Sequence, residues 1–136
     1  MKIGMCLDFM GCGEMTQSDE YDEIEKQFRK ILGKKCSFVR DMYPHLLSND
    51  VVDVYVFDFG GMMPGCQDTI DSHVRELITQ IEDHPNTLFV IWSDFTGRMF
   101  LELLEKEATK YLGEHRNIII SNGLDGEVEN RLKELQ

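Results

Sequence analysis

Asp8, Asp58, Ser93 and Asp94 are the side chains of this sequence best placed to do chemistry. Asp8, Asp58 and Ser93 each follow directly on an apolar run and Asp94 comes one residue later; the run before Asp58, residues 51–57, is nearly all β-branched or aromatic, the pattern of a strand buried on both faces. In an open parallel sheet, residues at the carboxyl ends of the central strands line the crevice where ligands sit. Carboxylates gathered there raise one another's pKa unless a cation or a proton lies between them. A hard divalent cation such as Mg²⁺ accepts one or two carboxylates together with several waters. The pattern therefore predicts Asp8 and Asp58 as metal ligands, with Asp58 and Ser93 as catalytic candidates. Strand-end aspartates also cap backbone amides of a following glycine loop, and that role fits Asp8 and Asp58 too.

The loops behind these residues add further groups. Gly11, Gly60 and Gly61 allow close backbone approach to a ligand. Cys12 and Cys66 each neighbour glycine, and Cys66 stands just before a helix, whose amino-terminal amides stabilise a thiolate. Cys66 is thus a nucleophile candidate, although His45, His73, His84 and His115 all fall away from it as bases. A Cys12–Cys66 redox pair and plain loop packing are the alternatives. Ser93-Asp94-Phe95-Thr96-Gly97-Arg98 opens another helix, and its amides, Thr96 and Arg98 suit a phosphate or carboxylate. Asp94 and Thr96 serve equally as caps there. Asn122, after the last strand, joins Asp94, Thr96 and Arg98 as a ligand-binding candidate. Met10, Met15, Met62 and Met63 are half of the eight methionines. Exposed, they suit a protein or ligand surface or a soft cation such as Cu(I), and otherwise they pack under the loops. Neither a P-loop nor a Gly-x-Gly-x-x-Gly is present, which excludes those nucleotide-binding devices.

The elements that must position these groups alternate along the chain. Strands are expected at residues 2–7, 36–39, 51–57, 87–92 and 117–120. Between them, Tyr21, Ile24, Phe28, Ile31 and Leu32 form one helical stripe, stopped by Gly33, with Thr16 or Ser18 as its cap. Pro44 opens a short helix through Ser48. Asp68 caps a helix carrying Ile70, Val74, Leu77, Ile78 and Ile81. A further helix carries Phe95, Met99, Phe100, Leu103, Leu104, Tyr111 and Leu112, and Val128, Leu132 and Leu135 mark the last one. Strands alternating with helices give a parallel sheet covered on both faces. The expectation is one domain over residues 1–136: a five-stranded, flavodoxin-like or Rossmann-like three-layer sandwich of strand order 2-1-3-4-5.

Asp8, Asp58 and Ser93, with this topology, are similar to the acidic, phosphoacceptor and hydroxyl positions of receiver domains in two-component signalling, and Met63-Pro64 resembles the loop behind the acceptor. The resemblance implies a regulatory module. The chain departs from it in having one acid after the first strand and Ser121-Asn122-Gly123, without lysine, after the fifth. Phe57-Asp58-Phe59-Gly60-Gly61 also looks like the first motif of haloacid-dehalogenase phosphatases, with Gly60 where those enzymes carry a second aspartate.

Composition bounds the rest. The chain has 14 basic and 25 acidic residues, a net charge of −11 and a pI near 4.7. Phosphate-backbone binding needs clustered Lys and Arg, so a nucleic-acid or anionic-membrane role is disfavoured. No stretch approaches the roughly 18 apolar residues of a membrane span. The opening residues read as a strand and not as a signal peptide, and four cysteines without a Cys-x-x-Cys pair fit reduced thiols of the cytoplasm. The short second strand flanked by lysines disfavours edge-to-edge pairing, leaving a monomer or a homodimer through helix faces. Two functions remain open. One is an acidic ligand or Mg²⁺ site at the edge of strands one, three and four, acting on a phosphate- or sugar-bearing small molecule. The other is a non-enzymatic regulatory module whose methionine-bearing loops meet a protein partner.

Overall fold

The computed structural model describes residues 1–7, 17–58, 67–92, 117–121 and 124–135. Five strands pair in parallel: β1 (Lys2–Cys6), β2 (Ser37–Val39), β3 (Val54–Asp58), β4 (Leu88–Trp92) and β5 (Ile118–Ser121). Their order is β2-β1-β3-β4-β5. Helices α1 (Gln17–Leu32), α2 (Gln67–Asp83) and α3 (Gly126–Glu134) flank them, with a 3₁₀ turn at Pro44–Ser48. This is the three-layer, flavodoxin-like arrangement expected from the alternation of strands and helices. No helix among the described residues is long and apolar enough to cross a membrane.

Side chains alternate across the sheet, so each strand feeds two layers. Ile3, Met5, Leu7, Val54, Val56, Leu88, Val90 and Ile119 face α1 and α3, where they meet Tyr21, Ile24, Phe28, Leu32, Val128 and Leu132. The apolar stripe of α1 is buried as its spacing requires. The helix stops at Gly33, whose φ of 84° lets its amide bond back to the Arg29 carbonyl at 2.8 Å; a left-handed residue here costs glycine nothing. α3 begins on Asp125, whose carboxylate accepts from the Val128 amide at 3.0 Å.

On the other face, Tyr55 meets Phe57 and Phe89 edge to face, and α2 packs on the 3₁₀ turn. Leu47, Leu77, Ile78 and Ile81 are buried there. Gly4 has a steric reason. A Cβ at this position would lie 2.5 Å from the Met42 sulfur. Met42 is itself held at both ends: its amide donates to Met5 at 2.9 Å, and its carbonyl accepts from the Tyr55 hydroxyl at 2.6 Å. The missing side chain thus lets the turn after β2 lie flat on β1.

Several boundaries differ from the sequence expectation. β3 starts at Val54, because its pairing with β1 begins at Ile3; Val51 is 70% exposed. Just before it, Asp53 exchanges hydrogen bonds with Lys2. The Asp53 amide donates to the Lys2 carbonyl, and its carboxylate accepts the Lys2 amide, both at 2.8 Å. Ser18 and Asp68 lie within the first turns of α1 and α2, one residue past the starts at Gln17 and Gln67, instead of ahead of them. Leu135 falls beyond α3 and is 45% exposed, outside the apolar face assigned to it. The expected helix over residues 95–112 lies outside the described residues.

Candidate functional site at the carboxyl edge

In the order β2-β1-β3-β4-β5 the direction in which successive strands are added reverses between β1 and β3, and β3 ends on Asp58 at that point. Register carries a row across the edge: Asp58 pairs with Trp92, and Trp92 with Ser121. Residues in register on neighbouring parallel strands share a face, so all three project toward the α1 and α3 layer. Asp58 and Trp92 are half-buried there and Ser121 is buried.

A second carboxylate, absent from the sequence reading, follows β2. Asp41 ends the short segment after β2 with a φ of 54°, the one non-glycine residue in the left-handed region among those described. Aspartate tolerates that conformation better than most residues. What holds it is Tyr21. The Tyr21 hydroxyl accepts the amides of Leu7 and Asp41, each at 3.1 Å, and donates to the Asp41 carboxylate at 3.0 Å. Both lone pairs and the proton are used. Burial, reinforced by the Asp41 charge, pushes the Tyr21 phenol well above its ordinary range. The ring's other face is covered by the Arg40 guanidinium, 5.4 Å from its centroid. Arg40 in turn bonds Asp22 at 2.6 Å and Glu25 at 2.6 Å, and Glu25 also meets Arg29 at 3.6 Å. Edge strand β2 is thereby tied to α1.

Cys6 ends β1, in register with Phe57. Its thiol is pushed up to about 12, first by burial and then by the Asp41 and Asp58 carboxylates. It is 1% exposed. A thiol so placed stays protonated at neutral pH. Among the described residues no three His, Cys, Asp or Glu side chains gather where they could hold a metal ion.

Of the residues singled out from sequence, Asp58 stands at the edge as described. Asp8, Gly11, Cys12, Gly60, Gly61, Cys66, Ser93, Asp94, Thr96, Arg98 and Asn122, with Met10, Met15, Met62 and Met63, lie outside the described residues. Asp41 and Tyr21 were missed. Asp41 sits behind a three-residue strand too short for a clear apolar run, and Tyr21 reads as one more member of the α1 stripe. Only its hydroxyl distinguishes it. Comparison with protein-family models and with curated proteins gave no match to this chain.

Proposed function

We propose that this domain binds a small ligand or a divalent cation at the carboxyl edge of β1, β3 and β4, and that its substrate class is a phosphate- or sugar-bearing small molecule. The observation that supports this most is the position of Asp58 at the reversal between β1 and β3, where open α/β sheets bind ligands. Asp41 adds a second carboxylate behind β2. Carboxylates and waters are the donor set of Mg²⁺, so Mg²⁺ is the cofactor that fits this edge. Asp8 and Asp58 would hold it, with Arg98 and the neighbouring helix amides taking the anionic group and Ser93 and Cys66 as further candidates for the chemistry.

The test is a thermal-melt screen of the reduced protein with Mg²⁺, Mn²⁺, nucleotides and sugar phosphates, repeated on Asp58→Asn. A ligand at a hundred times its Kd stabilises by about 2.7 kcal/mol. At about 3 °C per kcal/mol for a domain of this size, the melt rises by about 8 °C. That rise is expected in the wild type and absent in Asp58→Asn. A flat response to every addition overturns the reading.

A second reading, a non-enzymatic interaction module, draws on a different observation. Tyr43 at 41%, Leu46 at 37% and Val51 at 70% exposure put large apolar side chains in water around the 3₁₀ turn. Under this reading the melt is indifferent to cations and small molecules.

A further inference from the structure

We draw no further inference here: the strongest candidate, the open hollow of about 390 Å³ at the amino-terminal edge of the sheet beside Lys35, Cys36 and Asp53, has its carboxylate engaged by the Lys2 amide and its thiol by the Gly33 carbonyl, and nothing in the structure shows what covers its apolar walls of Met1, Leu32 and Leu135.

Discussion

Replacing Tyr21 by Phe removes one oxygen and keeps the buried ring, which isolates the joint between β1, α1 and the turn after β2. Three hydrogen bonds disappear with it: two accepted from the Leu7 and Asp41 amides and one donated to Asp41. Their fates differ. Leu7 is 2% exposed, so its amide loses its partner where water does not replace it, at a cost of about 1–3 kcal/mol. Asp41 is exposed, and water takes over both of its bonds for about 1 kcal/mol together. The expected destabilisation is about 2–4 kcal/mol, or a melt lowered by about 6–12 °C. Tyr55→Phe is the internal control. It deletes one bond, to the Met42 carbonyl, from a ring equally buried; Met42 is 1% exposed, so that carbonyl too loses its partner away from water, at about 1–3 kcal/mol. Urea unfolding of the three proteins gives the ranking, and amide exchange at Leu7 localises the effect. A Tyr21→Phe cost no larger than that of Tyr55→Phe, with Leu7 exchange unchanged, would show that the hydroxyl is not the joint.

Three further outcomes follow from the same structure. Gly4→Ala drives a methyl against the Met42 sulfur and should destabilise by about 1–3 kcal/mol; Met42→Ala in the same chain should recover part of that loss, seen as a coupling in a double-mutant cycle. With Cys12, Cys36 and Cys66 changed to Ser, the remaining Cys6 should resist a thiol reagent at pH 8 until the chain unfolds. Its folded-state pKa lies near 12 against an ordinary value of 9.0, so the folded form holds the proton more tightly. Cys6 therefore contributes stability in full below pH ~9, and loses at most about 4 kcal/mol as pH rises toward 12. Tyr21 and Tyr55 are raised as well and steepen the loss above pH ~10 in the same direction; Cys6→Val should flatten the part of the pH–stability curve that begins earlier. Asp125→Ala removes the carboxylate that accepts from the Val128 amide and should cost about 1 kcal/mol by urea titration.

The carboxyl-edge site was only partly legible in the chain. Asp58 was, because a strand that runs Val54-Tyr55-Val56-Phe57 and then meets an acid before two glycines announces its own end. Asp41 was not, since its importance comes from a hydroxyl twenty residues earlier in sequence and from a turn folded onto β1. Cys6 reads in sequence as one more apolar strand residue. The acids that raise its pKa come from segments far along the chain, brought together by the crossovers of the sheet.

Local patterning was therefore sufficient for everything that depends on neighbours in sequence. The period of Tyr21, Ile24, Phe28 and Leu32 determined the buried face of α1, Gly33 its end, and Pro44 the short turn. The alternation of elements determined the parallel sheet and its order, because right-handed crossovers leave few alternatives. Tertiary structure alone decided what depends on partners. It ended the claim of residues 51–53 to be strand, since the pairing of β3 with β1 begins only at Ile3 and Val54. It exposed Leu135, since α3 stops before that residue. It also turned a tyrosine of the helix stripe into the bond that holds the edge together, since a hydroxyl acquires meaning only from the donors and acceptors that folding brings to it.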